Sequence, residues 1–182
     1  MTAPEVMVLC EGMIRRSGKS ILEAHGSSTI VICEGHKIVV DTSSAEYRDR
    51  VLAGLAKAKV KPEDVDMIVR THEHVDHISN DDLFVNAHLV SLAAGQKEKV
   101  LCFGVRLVAT PGHTPSSVSV FVQGKQHIAV VGDAIPTKSN YDKWVPPSIS
   151  FDENVALQSM KLIAEFADVI YPGHEGPFAA NR

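Results

Sequence analysis

Between Thr71 and His77 the chain reads Thr-His-Glu-His-Val-Asp-His, three histidines and two carboxylates within six consecutive positions. The cluster follows an apolar run at residues 65–69 that reads as a buried strand. Side chains on a strand alternate between faces. His72 and His74, leaving the strand while still extended, therefore point the same way and can grip one metal ion. Asp76 and His77 come after the chain turns and can reach a second ion beside the first. Neutral imidazole and carboxylate are ligands that suit zinc, iron or manganese. A His-rich tract of purely compositional origin has no apolar strand leading into it, so a metal centre is the expectation here.

A length of 182 residues fits one domain, residues 1–182, or two half-domains sharing a core, and the 45% hydrophobic content permits that core. No apolar stretch reaches the roughly 18 residues of a membrane span. The first residues lack the basic and apolar regions of a secretion signal, so the cytoplasm is the expected compartment. Three cysteines, Cys10, Cys33 and Cys102, are odd in number and scattered. No disulfide framework is expected, and each reads as a small buried strand residue. A formal charge of −4 is not the basic footprint of a dedicated nucleic-acid binder, although it leaves room for a local basic patch.

In chain order, residues 6–10 read as a strand and residues 11–20 as a loop carrying Arg15, Arg16 and Lys19, a candidate flap for an anionic substrate. Residues 29–33 and 37–40 form a hairpin with His36 at its tip. Ser43 and Glu46 are spaced as a capping box, and Tyr47, Val51, Leu52, Leu55 and Ala58 follow helical spacing. Residues 87–92, 100–103, 105–109, 117–122, 128–131 and 169–171 read as strands, and residues 153–167 as a helix with Ala156, Met160, Ile163 and Ala167 on one stripe. The strand-rich plan seen up to about residue 95 recurs from 96 to 182, giving two half-repeats.

Five positions share one context. Asp41, the His72 cluster, His113, Asp133 and His174 each follow directly on an apolar strand. A pair of sheets that brings one set of strand ends together would gather all five at one edge. Asp41 is costly to bury unless paired; it is a candidate to orient a ligand histidine from behind, with an Asx-type turn or a helix cap as the alternative role.

These residues resemble the metallo-β-lactamase superfamily, whose signature is His-x-His-x-Asp-His followed by a later His, a later Asp or Cys, and a last His. The resemblance runs from about Thr29 to Phe178 and is strongest to the small single-domain members, one animal representative of which is associated with cutting RNA. It implies an α/β fold, a four-layer αββα sandwich of two mixed β-sheets flanked by helices. It also implies that His72, His74 and His113 hold one metal, that Asp76, His77 and His174 hold a second, and that Asp133 bridges them. The implied cofactors are two divalent ions, zinc first, with iron or manganese as alternatives.

Two such ions can share a hydroxide and aim it at an electrophile, with Asp76 and Asp133 as the catalytic carboxylates. The expected activity is a binuclear hydrolase of a small-molecule or nucleic-acid substrate. A phosphodiester is slightly favoured, an ester, thioester or lactone is the first alternative, and a mononuclear iron redox enzyme is the second. The chain is too short for an added cap domain, so the cleft is expected to be open or closed by a second subunit of a homodimer. Arg15, Arg16, Lys19, Lys138, Tyr141 and Trp144 are the candidate substrate contacts.

Overall fold

The computed structural model describes residues 3–18 and 20–180. Two sheets lie face to face. The first orders its five strands as β1 (Glu5–Cys10), β4 (Ser28–Cys33), β5 (His36–Val40), β6 (Met67–Val69) and β7 (His88–Leu89). The second orders six as β13 (Phe178–Ala179), β12 (Val169–Pro172), β11 (His127–Gly132), β10 (Val118–Gln123), β9 (Val105–Ala109) and β8 (Glu98–Cys102). Both are mixed: β5 runs parallel to β6 and β11 parallel to β12, beside antiparallel neighbours.

Strand alternation builds the layers. Val31, Ile38, Val40 and Val69 from the first sheet interleave with Val105, Leu107, Val120 and Val122 from the second. The opposite faces carry Ile30, Val39 and Ile68, which meet Val51 and Leu55 of α1 (Arg48–Lys57). On the far side Phe121, Ala129 and Val131 meet Met160 and Ile163 of α4 (Glu153–Phe166). Each fully buried aliphatic or aromatic side chain in these layers contributes about 1.5–3 kcal/mol. The result is the expected αββα sandwich.

The topology turns five strand ends to one edge. Strands β5 and β6 are parallel, and β9, β11 and β12 share one direction because β10 runs antiparallel to both β9 and β11. Asp41, His72, His113, Asp133 and His174 follow those strands.

Several expectations require correction. The segment read as a loop from Glu11 to Ser20 is a two-stranded hairpin, β2 (Met13–Ser17) and β3 (Ser20–His25), with a bulge at Arg15/Arg16. The Lys19 expectation lies outside the described residues. Ser43 does not cap a helix. It takes a left-handed φ of 64° and bridges to Ile78, while a short 3-10 turn (Ala45–Tyr47) leads into α1 with no side-chain cap. The strand expected at 87–92 shrinks to His88–Leu89, because the chain leaves the sheet edge there. Residues 138–143, unassigned in the sequence reading, form α3 (Lys138–Lys143), capped by Thr137.

The cysteines depart furthest from expectation. Cys33 and Cys102 are joined as a disulfide, with Cα atoms 6.4 Å apart, and Cys10 is the buried free thiol. Strand β4 starts beside Asp41, where Ser28 Oγ donates to the Asp41 carbonyl, and ends at Cys33. The bridge therefore staples the two sheets at the edge away from the histidines. Its cysteines are 69 residues apart in sequence, and closing a loop of that size in the unfolded chain is worth up to about 4 kcal/mol. Reduction, or Cys33→Ser, should lower Tm by about 5–15 °C. Thiol counting checks that the bond was present, and an unchanged Tm on its loss would show that the staple carries no stability.

Candidate metal centre

The chain bends at Thr71 and His72 just after β6, where continued extension was expected, and is extended again at His74; both histidines meet His113, which the loop after β9 presents from the second sheet. The candidate ligand atoms of these three all lie within 4.8 Å of one another. The chain then turns into the single helical turn α2 (Val75–Ile78), which swings Asp76 and His77 to the other side. There they meet His174 from the loop after β12, again with ligand atoms within 4.8 Å.

Asp133 stands between the groups. Its Oδ2 is 3.5 Å from His113 Nε2, and its Oδ1 is 3.2 Å from His174 Nε2 and 3.5 Å from His77 Nε2. Gly173 makes this approach possible, since a Cβ there would collide with the Asp133 carboxylate.

Every buried imidazole is held from behind. Asp41, at the end of β5 with a left-handed φ of 55°, accepts from the Thr71 backbone N–H at 2.6 Å and the Thr71 hydroxyl at 2.7 Å. Its Oδ2 also lies 2.8 Å from His77 Nδ1, and Thr71 Oγ1 lies 3.0 Å from His72 Nδ1. His113 Nδ1 is 2.6 Å from the Ile149 carbonyl and His174 Nδ1 is 3.0 Å from the His25 carbonyl. Such partners fix the tautomer and leave Nε2 free to ligate.

The cluster fits a metal. His72 Nε2, His77 Nε2 and Asp133 Oδ1 are buried with no hydrogen-bond partner. Leaving each unsatisfied costs about 1–3 kcal/mol, and a cation accepting their lone pairs removes that cost. The electrostatics agree. Burial, reinforced by His77, pushes His72 down to about 2, so it is a neutral donor. Burial likewise lowers His113. Burial opposes charge on His77, but the Asp41 and Asp133 carboxylates prevail and hold it well above the usual histidine value. Burial also opposes charge on Asp133, yet the nearby His174 and His77 imidazoles hold it well below the usual carboxylate range. Positive charge is favoured between these groups.

A cavity of about 410 Å³ opens over the cluster. Its floor includes His74, Asp76, His113, Asp133 and His174. Its walls are Ile14, Arg16, Ile21 and Ala24 of the β2–β3 hairpin on one side, and Pro147, Ser148 and Ile149 on the other. Arg16 donates to Ser148 Oγ at 2.6 Å and joins the two walls.

The other substrate candidates fare differently. Arg15 is turned to Glu23 at 3.0 Å and does not line this cavity. Lys138 pairs with Asp142, and together with Tyr141 and Trp144 it lines a separate shallow hollow. Proximity to Asp133 in sequence misleads here, because α3 carries its side chains away from the histidines. The sequence reading missed Thr71, the apolar wall of the hairpin, and the carbonyls of His25 and Ile149. Gly18 was the available sign of a turn in this stretch, whereas a carbonyl's role leaves no mark in residue type.

The model of the metallo-β-lactamase superfamily matches residues 22–104. A Methanocaldococcus jannaschii protein named as a probable metallo-hydrolase is 36% identical over 185 residues, covering 94% of this chain and 88% of that one. The metallo-beta-lactamase domain-containing protein 1 of Xenopus laevis is 34% identical, covering 95% of this chain and 80% of that one. Among solved structures, a quorum-quenching N-acyl homoserine lactone lactonase matches with a TM-score of 0.71 at 20% identity, over 96% of this chain and 93% of that one. At that identity the likeness concerns the fold.

Asp41→Asn keeps the shape but places an amide where the carboxylate meets Thr71 and His77. It should weaken metal binding by about 10–100-fold while the protein stays folded. Competition against a chromophoric chelator, with circular dichroism as the folding control, reads this. Undiminished affinity would remove Asp41 from the support of the cluster.

Proposed function

The chain belongs to the metallo-β-lactamase superfamily and is a metal-dependent hydrolase within it, and we propose that it cleaves a carboxylic ester or lactone bearing an apolar acyl group. The observation that carries this reading is the cavity wall. Ile14, Ile21, Ala24, Pro147 and Ile149 stand over the histidines, and Arg16 is the one Lys or Arg among the described residues that lines the cavity. Arg15 and Lys138, which would have lent a basic surface for a polyanion, are matched by Glu23 and Asp142. A slot of this kind suits a neutral chain better than a run of phosphates.

In this reading His72, His74 and His113 would hold one ion and Asp76, His77 and His174 a second, with Asp133 available to both. Zinc is the metal that the nitrogen and carboxylate donors suit first. When bound, such a pair supplies an acidified water and polarises the substrate carbonyl.

The chain's own residues do the rest. The hairpin wall buries the acyl chain and excludes bulk water, at about 0.8 kcal/mol per methylene. Arg16 spends one donor on Ser148 and has others for a polar substituent of the acyl group or leaving group. Asp76, partly exposed beside His174 at 3.7 Å, is the carboxylate placed to hold a proton near the leaving oxygen. A second reading, a compact phosphodiester, is favoured by Arg16 alone, since a guanidinium suits a monoanionic phosphate.

Aryl esters of increasing acyl length, run beside a bis-aryl phosphodiester with Asp133→Asn as the blank, separate the two. The ester reading expects kcat/KM to climb about three- to fourfold per methylene, as 0.8 kcal/mol implies, until the slot is filled. Diester turnover lost in the blank, with no ester turnover above it, would overturn the ester reading. In the same series Ile21→Ser should flatten the dependence on chain length, and Arg16→Ala should raise KM chiefly for esters with a polar substituent. Equal KM values in Arg16→Ala and the parent would take Arg16 out of substrate contact.

A further inference from the structure

The last residue of β3 and the two that follow form a splint along the second ligand group. The His25 carbonyl lies 3.0 Å from His174 Nδ1. The Gly26 N–H donates to the Asp76 carbonyl at 2.9 Å, and the Ser27 N–H to the Gly173 carbonyl at 2.6 Å. Gly26 is also packed on His77. A Cβ at Gly26 would stand 2.7 Å from both the Asp76 carbonyl oxygen and His77 Nδ1, closer than side-chain carbons approach. His25 and Gly26 thus touch Asp76, His77 and His174, and Ser27 holds Gly173 beside His174. The first group has other anchors, Thr71 behind His72 and the Ile149 carbonyl behind His113.

What holds the splint is the His25 ring. It is buried and stacked on Tyr47, with centroids 4.0 Å apart and planes 15° from parallel. Its Nδ1 is 2.6 Å from Ser44 Oγ, and its Nε2 is 3.2 Å from Glu23 Oε1. Ser44 and Tyr47 belong to the turn that starts α1, so the ring bolts the end of β3 to the outer helix of the first half. The same strand carries Ile21 and Ala24 in the cavity wall. The wall that would meet substrate and the support of the second ligand group are therefore one piece of chain.

We infer that His25 is a positioning residue for the second ion, acting through the backbone of residues 25–27 without contacting the ion itself. This rests on the two-ion reading above. Removing the ring unbolts the strand end, and His174 and Asp76 lose the carbonyl and amide that aim them. The first group keeps its own anchors.

The test is zinc uptake by the full chain, titrated against a chromophoric chelator and confirmed by elemental analysis. Unfolding of the metal-free protein serves as the folding control. The parent should take two ions. His25→Ala should retain the first at the parent's affinity and bind the second about 10–100-fold more weakly. His25→Asn, whose amide keeps a polar atom where Nδ1 meets Ser44, should recover much of that loss. Gly26→Ala, which leaves the ring in place and crowds Asp76 and His77 directly, should weaken the same ion, and it decides the matter if His25→Ala does not fold. Two ions of parental affinity in both His25→Ala and Gly26→Ala would overturn the inference, as would equal weakening of both ions. A parent that binds fewer than two ions would defeat the two-ion reading itself, and the inference with it.

Discussion

A buried carboxylate organises the candidate metal centre. Asp41 is almost fully covered, and it faces the Thr71 amide, the Thr71 hydroxyl and His77 Nδ1. An ionised carboxylate taken out of water is tolerated only when its oxygens are matched by donors, and here the donors are the backbone and side chains of the ligand segment. The same interactions that compensate the charge therefore fix where His72 and His77 point. The left-handed conformation at Asp41 is part of the arrangement, because it turns the side chain off the end of β5 and under the cluster.

The sandwich makes this local solution general. Parallel pairing of β5 with β6, and of β11 with β12, sends successive strand ends to the same edge. Each end carries a polar residue that the core cannot accept. The two sheets then share the cost of one polar edge, and Asp133 from the second stands between ligand groups contributed by both. The Cys33–Cys102 bridge lies at the other edge, so the sheets are tied covalently where no ligand set holds them. The β2–β3 hairpin adds what the sandwich lacks, an apolar wall over the polar edge. The Arg16–Ser148 hydrogen bond links that wall to the loop that also anchors His113.

Much of this was legible in the sequence, for a physical reason. A charged or imidazole side chain after a buried strand stands out against the apolar run before it, and Asp41, the segment that begins at His72, His113, Asp133 and His174 occupy that context. The layers were legible because strand alternation and the stripe on α4 are periodic. The hairpin was not, because Arg15, Arg16 and a glycine turn read as a solvated loop when partner strands are unknown. Ser43 and Glu46 match a capping box in spacing, but backbone pairing of Ser43 with Ile78 overrides it. The disulfide was hidden because only the folded sheets bring the ends of β4 and β8 together. The His25 splint works through a carbonyl and an amide, which every residue has, so residue type alone could not reveal it.

Two groups of three candidate ligands, with Asp133 between them, are proposed here to form one two-ion centre. Anomalous diffraction from crystals of the zinc-loaded protein, collected on both sides of the zinc edge, tests it most directly. Two zinc peaks are expected, one among His72, His74 and His113 and the other among Asp76, His77 and His174, with the Asp133 carboxylate bonded to both. A single peak, or two peaks with Asp133 bound to neither, would contradict it.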